Sequence, residues 1–292
     1  MRLGQEQMKE LEYIFSKLGL NKDNGLILTK GGHWKKDTSF PNRVKRLIEL
    51  KIRPDAFFCF DNKPMILFFY NPTNIRELHE AVWNFNECPI VIIVQNDVID
   101  IFNGFNFFGN LKALERLGGV EKLTDFTYLE MVSGKTWEQY VDQLNYKNRV
   151  DYHLLQNIKA ARKVLVEKHK LNAKISNSII GKCIFVRYLI DRKVKIKFDG
   201  KLRTWTNDEF CDLLTRPKEA KQFFDYLEDN ERGFNGDLFP LYIEEYGKIS
   251  DEDYLVIKRL LRGDDIEQNQ PSFFEFYNFS IIPIEFICNV YE

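Results

Sequence analysis

The chain has 292 residues, 44% of them hydrophobic and 14% aromatic, which is enough apolar surface for the cores of two domains and too much for a disordered chain. No apolar run approaches the roughly 20 residues of a membrane span, so no membrane partner is expected, and the charged, amphipathic start MRLGQEQMKELE lacks the marks of a signal peptide. Five cysteines, at 59, 88, 183, 211 and 288, follow no CxxC or framework spacing and read as buried thiols in a reducing cytoplasm.

Residues 5–18 form the first amphipathic helix, with Met8, Leu11, Tyr13, Ile14 (or Phe15) and Leu18 near helical spacing. Residues 42–51 repeat that pattern through Val44, Leu47, Ile48 and Leu50. Two apolar runs follow, 55–60 and 65–70, joined by Asp61-Asn62-Lys63-Pro64; a short polar connection between β-rich runs signals a hairpin. Asn71-Pro72-Thr73-Asn74 leads into a helix over 74–86, and a second strand pair, 89–94 and 98–102, turns at Gln95-Asn96-Asp97. Helix, hairpin, helix and strand pair in that order predict a mixed sheet with helices packed on it.

That order, with Pro54-Asp55 opening the hairpin, resembles the PD-(D/E)XK nuclease fold. The resemblance implies an Asp at the start of one strand and a carboxylate on the next, which hold Mg²⁺ beside the scissile phosphate. A Lys two residues later positions or deprotonates the attacking water. Mg²⁺ wants hard oxygen ligands, and the charge developing on the phosphate must be offset. Asp55 fits the first position, but Phe69 stands where the acid belongs and Asn71 where the Lys belongs. Asp55 is therefore expected to be a vestigial catalytic residue in a dead site. Mg²⁺ enters only if displaced groups complete the set, and Glu49, Glu77 or Glu80 with Lys63 are the residues for that. The plainer reading leaves Asp55 at a strand edge, Lys63 in a turn and the glutamates in water. His33 and His79 have no ligand spacing such as HxxxH, so no metal site follows from them.

Trp83 and Phe85 sit at a helix end, where bulky rings seal a helix against a sheet. Asn103-Gly104 reads as a turn, since both residues tolerate positive φ. Gly118-Gly119 reads as the end of a helix, and a domain boundary is expected within 118–135. Ser133-Gly134-Lys135-Thr136 looks like the tail of a phosphate loop, but the residue five before Gly134 is Leu129, where that loop needs Gly. Beyond it, helices are predicted over 137–144, 152–169, 175–192, 207–214, 218–229 and 252–261. An extended segment at 194–198 and an Asn235-Gly236 turn interrupt them.

The formal net charge of −1 conceals two opposite fields. Residues 145–197 hold 14 Lys/Arg against 3 Asp/Glu, a net of +11, and residues 199–292 hold 10 against 21, a net of −11. A cationic helical block attracts a polyphosphate; the competing reading has the same cations pairing with the acidic region beyond. Leu154, Leu155, Ile158, Val164 and Leu165 mark the core side of one helix, and Val186, Leu189 and Ile190 that of the next. Lys159, Arg162, Lys163, Lys168, Lys182 and Arg187 remain as DNA-backbone candidates, contacts that hold DNA without reading its sequence. Arg149 and Asp151 can pair at the helix start, and Asp237 can pair with Arg187.

Four blocks carry a second resemblance: RVDYHLLQNIKAAR from Arg149, IIGKCIFVRYLIDR from Ile179, FFDYLEDNERGFNGDLFPL from Phe223 and FSIIPIEFICNVYE from Phe279. In that order they resemble the helical region preceding the methyltransferase core of type IIG-like restriction–modification enzymes. Those are single-chain adenine-specific DNA methyltransferases, often fused to a nuclease domain. The segment from Trp83 to Ile90, with Ile101 to Phe105, resembles the amino-terminal domain ahead of such cores. The resemblance implies S-adenosylmethionine for the parent enzyme, DNA as its partner and a bacterial cytoplasm. The DPACGSG-like turn that approaches that cofactor and the NPPY-like loop that holds an extruded adenine are both missing; Asn71-Pro72 shares two letters only. Methylation is not expected of these residues, which read as the front portion of a longer enzyme.

The predicted fold class is α+β followed by all-α: a mixed-sheet, nuclease-like domain over 1–130, then a helical connector over 131–292 leading into an absent methyltransferase core. Its expected work is structural positioning with non-specific DNA-backbone contact, without catalysis or cofactor of its own. Two alternatives stay open: an active Mg-dependent endonuclease with displaced ligands, and a protein-interaction scaffold in phage defence with no DNA affinity.

Overall fold

The apolar runs of the amino-terminal half pair into one six-stranded mixed sheet. The computed structural model describes residues 5–37, 40–228, 241, 243–267 and 277–282. Helix α1 (Gln5–Leu18) precedes β1 (Leu26–Leu28). Helix α2 (Asn42–Leu47) continues into a turn of π-helix (Ile48–Ile52) before the hairpin of β2 (Ala56–Phe60) and β3 (Lys63–Tyr70). Helix α3 (Ile75–Phe85) then crosses to β4 (Ile90–Gln95), and β5 (Val98–Phe108) and β6 (Ala113–Gly119) complete the sheet. Spatial order follows chain order, and neighbours are antiparallel except β3 and β4, which run parallel.

Strands β2 to β4 are apolar at nearly every position because both faces of the sheet are covered. Phe58, Phe68 and Ile92 meet Leu11, Ile14, Phe15 and Leu18 of α1 in one core, where the rings of Phe15 and Phe68 lie edge to face at 5.0 Å. Both Ile14 and Phe15 are buried, whereas Tyr13 is 51% exposed. On the opposite face Trp34 packs edge-on against Phe57 at 5.3 Å. Trp83 is buried, stacked on Phe107, and its indole N–H donates to the Phe105 carbonyl at 3.0 Å.

Two expectations for this unit are corrected. Asn103-Gly104 is not a turn but lies within β5, which runs on to Phe108. Gly104 is needed there for a different reason: a Cβ would come within 2.1 Å of the Cys88 carbonyl oxygen, and the Gly104 N–H donates to Pro89 O at 2.8 Å. Gly118-Gly119 ends a strand, not a helix, because β6 pairs along the outer edge of the long β5.

The chain divides into two compact units, Met1–Tyr152 and His153–Glu292. The division falls at 152/153 rather than 130/131 because α4 (Tyr128–Ser133) and α5 (Lys135–Gln139) belong to the sheet: Met131 and Tyr140 are members of its core. Gly134, left-handed at φ 92°, joins these two helices, and Lys135 pairs with Glu130. Helix α6 (Val150–Lys163) leads into the second unit and continues as a π-helical turn (Val164–Lys168). Then come α7 (Ala173–Asp191), a hairpin of β7 (Ile196–Phe198) and β8 (Lys201–Arg203), α8 (Asn207–Leu214), α9 (Pro217–Glu228), α10 (Ile243–Tyr246) and α11 (Asp251–Arg262). The hairpin corrects the expectation of an all-α unit. Ile196 turns into the core, and the rings of Phe198 and Phe223 meet at 5.2 Å, so a short ribbon is held by aromatic packing.

Of the cysteines, Cys59, Cys88, Cys183 and Cys211 are buried free thiols; Cys288 lies outside the described residues, as do the Asn235-Gly236 turn and Asp237. Among the described residues no helix is long and apolar enough to cross a membrane.

Candidate nucleic-acid interface

Asp55 stands immediately before β2, at the end of the sheet where β3 finishes. The register pairs Ala56 with Phe68, so one residue further on Asp55 comes opposite Phe69, on the same face. The main chain grips this corner: Asp55 N donates to Phe68 O at 2.9 Å, and the Thr29 hydroxyl donates to Pro54 O at 2.6 Å. The carboxylate itself accepts the Tyr70 N–H at Oδ2, at 2.7 Å. Burial raises the Asp55 pKa, and that hydrogen bond only partly opposes the shift. Phe69 is buried and pairs on its other side with Ile93 of β4. This strand pair therefore offers Mg²⁺ the oxygens of one carboxylate and an aromatic ring, a donor set that does not fit the ion.

Asn71 has a structural duty of its own. Its backbone is left-handed at φ 44°, its N–H extends the β3–β4 ladder to Val94 O at 2.8 Å, and its side-chain oxygen accepts the Asn96 N–H at 3.0 Å. The amide thus ties the end of β3 to the β4–β5 turn.

Of the displaced groups, Lys63 is held far from Asp55. Lys63 begins β3, whereas Asp55 lies at its far end; eight residues of strand put roughly 23 Å between Lys63 and Tyr70. Glu49 is ion-paired with Lys35 at 2.6 Å. Glu77 is exposed in the first turn of α3, and Glu80 is half-buried in the next. Among the described residues no three His, Cys, Asp or Glu side chains form a group that could hold a metal ion. His79 is buried, accepts the Leu114 N–H at Nδ1 at 3.1 Å and has its pKa pushed down by burial to about 4.

The cations of the second unit fall into two sets. Lys159, Arg162 and Lys163 of α6 and Lys168 of the π-helical turn are all exposed. Lys170, exposed and left-handed at φ 60°, reverses the chain toward α7. Arg162 donates to the Asn177 side chain at 2.8 Å, which braces α6 against α7 without cancelling the charge. Among the described residues no carboxylate pairs with Lys159, Lys163, Lys168 or Lys170. From 159 to 174 the chain carries six cations and one acid, Glu167.

Lys182 and Arg187 belong to the other set, and here the sequence reading is corrected: they are 4% and 2% exposed. Helix α7 is buried on nearly all sides, so it has no solvent stripe for them to occupy. Arg187 donates to Asp191 at 2.8 Å, to Leu261 O at 3.1 Å and to Tyr277 O at 3.2 Å. Asp191 in turn accepts the Phe279 N–H at 2.9 Å. This network fastens residues 277–279 to α7. The Lys182 ammonium lies over the Tyr246 ring, 5.6 Å from its centre.

Among the described residues the carboxylates of the acidic region form no ion pair with the lysines of α6. Asp208 pairs with Arg262, Asp212 with Lys258, Glu219 with Arg216 and Asp264 with Arg259, all within their own stretch, while Asp253 reaches across to the His169 ring at 2.7 Å and to none of the lysines beside it. The sequence reading also passed over the hairpin, where Lys193, Lys195, Lys197 and Lys201 are exposed. Its signal was present as Lys at alternate positions, 193, 195 and 197, ahead of an Asp199-Gly200 turn. No protein-family model, curated protein or solved structure matches this chain.

Proposed function

We propose that the chain is the amino-terminal portion of a restriction–modification adenine-specific DNA methyltransferase, and that its own work is to hold DNA by the phosphate backbone without cutting or methylating it. The first unit is a nuclease-like sheet in which Asp55 has lost its partners. The second is a helical connector that presents cations to the duplex. S-adenosylmethionine belongs to the parent enzyme's core; no motif for it occurs in these residues.

One observation carries the reading: among the described residues the exposed cations between 159 and 170 are left without carboxylates, although an acidic region with a net charge of −11 follows in the same unit. Lys159 and Lys163 stand four apart on one helix, a like-charge arrangement that costs a few tenths of a kcal/mol, roughly 0.2–0.5. A surface kept in that state suits a polyanion. The phage-defence scaffold reading gives no reason for it.

The test is a titration of the 292-residue chain with a labelled DNA duplex at several salt concentrations. Affinity is expected to fall linearly on log–log axes, with a slope of about −0.9 per phosphate contacted. Replacing Lys159, Lys163, Lys168 and Lys170 by Ala is expected to make the slope shallower by about 3 to 4. Absent binding, or binding indifferent to salt, overturns the reading.

A further inference from the structure

We infer that the β7–β8 hairpin is a second contact to the same nucleic acid, a basic ribbon that enters the major groove with Leu202 at its apolar centre. This rests on the reading of the second unit as a DNA-holding module. Its evidence is separate, since none of the residues on α6 or the π-helical turn is involved.

The hairpin is built to be stiff. Asp199 and Gly200 are both left-handed, at φ 49° and 72°, which gives the tight two-residue turn that suits the twist of antiparallel strands. One face is anchored: Ile196 is buried, and Phe198 meets Trp205 at 6.0 Å and Phe223 at 5.2 Å. Arg203 belongs to that side too, with its guanidinium 4.1 Å from the centre of the Trp205 ring and ion-paired with Glu209.

The other face has no cover among the described residues. Lys197 pairs across the ribbon with Leu202, which is 61% exposed, and Lys195 lies two positions back on the same face. Among the described residues Lys193, Lys195 and Lys197 join no ion pair; Lys201, opposite Phe198, stands at the edge of the anchored side and joins none either. From 192 to 203 the count is again six cations to one acid, Asp199.

Charge complementarity selects a polyanion, and shape selects which one. A two-stranded ribbon is of a size the major groove admits, and there an apolar side chain can meet the thymine methyl while Lys reaches guanine acceptors or phosphates. An acidic lipid surface would also draw the lysines, but a single exposed leucine gives it little to hold. The two cationic corners stand at opposite ends of α7, whose 19 residues span roughly 28 Å. One duplex can serve both, because a helical turn of DNA is about 34 Å long.

The experiment compares three variants of the full chain with wild type: Lys195→Glu/Lys197→Glu, Leu202→Ala, and the four-lysine Ala variant of α6 and its following turn. Each is titrated with a duplex of about 20 base pairs, two helical turns, and with the same duplex carrying uracil for thymine. All substituted side chains are exposed, and circular dichroism checks that each variant folds as wild type does. The hairpin charge variant is expected to bind about ten- to a hundredfold more weakly, with a shallower salt slope. Leu202→Ala is expected to keep the slope and lose the preference for thymine over uracil.

Hairpin variants that bind like wild type, while the four-lysine variant does not, overturn this inference and leave the DNA reading standing. Wild type without salt-dependent duplex binding overturns both. Phosphatidylserine vesicles are the third arm: a hairpin charge variant that loses vesicles but keeps the duplex assigns the ribbon to lipid and also overturns the inference.

Discussion

Asp55 and Lys163 are charged side chains that the sequence offers to the same chemistry, the handling of a phosphodiester, and the chain treats them in opposite ways. Asp55 is drawn into the sheet: a backbone amide engages its carboxylate, burial raises its pKa and a phenylalanine faces it across the strands. Lys163 is left in water with a like charge at Lys159 and no carboxylate among the described residues. The contrast repeats within the second unit, where Arg187 is buried and fully engaged while Lys159, Lys163 and Lys168 are exposed. A charge enlisted by the fold is desolvated and hydrogen-bonded; a charge left in water is neither. Residue type alone does not separate the two.

The largest effect expected from breaking this contrast is at Arg187. Replacement by Ala leaves the part-buried Asp191 carboxylate without its ion-pair partner and the carbonyls of Leu261 and Tyr277 without the guanidinium, and such a loss costs about 3–5 kcal/mol. Urea unfolding should show this loss, while Lys163→Ala should change stability by no more than about 0.5 kcal/mol. A small effect at Arg187 would remove the distinction between engaged and presented cations on which the comparison stands.

Much of the fold is legible in the sequence where a single periodicity governs. Leu11, Ile14 and Leu18 give α1, the two apolar runs around Asp61-Asn62 give the β2–β3 hairpin, and α8 is read at Asn207–Leu214 to the residue. The reading fails where a second constraint overrides the pattern. Strand β1 has three residues, too few for any period to show. In β5 the Asn-Gly pair answers to a close backbone approach, not to a turn. Helix α7 is buried on nearly every side, so the rule that Lys and Arg mark the wet face misplaces Lys182 and Arg187. The cross-strand relation of Asp55 to Phe69, by contrast, could be counted from the hairpin.

Titration offers a second, smaller test of how the first unit treats its polar groups. His79 is buried, with Nδ1 accepting the Leu114 N–H, and burial lowers its pKa from 6.5 to about 4. Between those values the unfolded chain binds a proton that the native chain refuses, so stability falls as pH drops from about 6.5 toward 4. The shift corresponds to roughly 3 kcal/mol at the acid end. In the His79→Gln variant this part of the pH dependence should vanish, leaving the carboxylates to account for what remains. A profile unchanged by the substitution would mean that His79 is solvated.

The smallest effect is expected at Asp55, where the comparison is most exposed to being wrong. Its pKa is raised by burial, so over the interval above 3.8 the native chain holds a proton that the unfolded chain has lost. Stability therefore declines as pH rises through that interval, and Asp55→Asn should abolish the decline. An asparagine oxygen can still accept the Tyr70 N–H, so the variant should fold as well as wild type at neutral pH or melt slightly higher. The same pair of proteins, incubated with supercoiled plasmid and Mg²⁺ or Mn²⁺, should nick no more than a protein-free control. Cleavage by wild type that disappears in Asp55→Asn would mean that a second acid reaches Asp55 in the presence of metal and DNA. The carboxylate would then belong with Lys163 among the groups presented to a partner, and its burial would be a state that binding relieves.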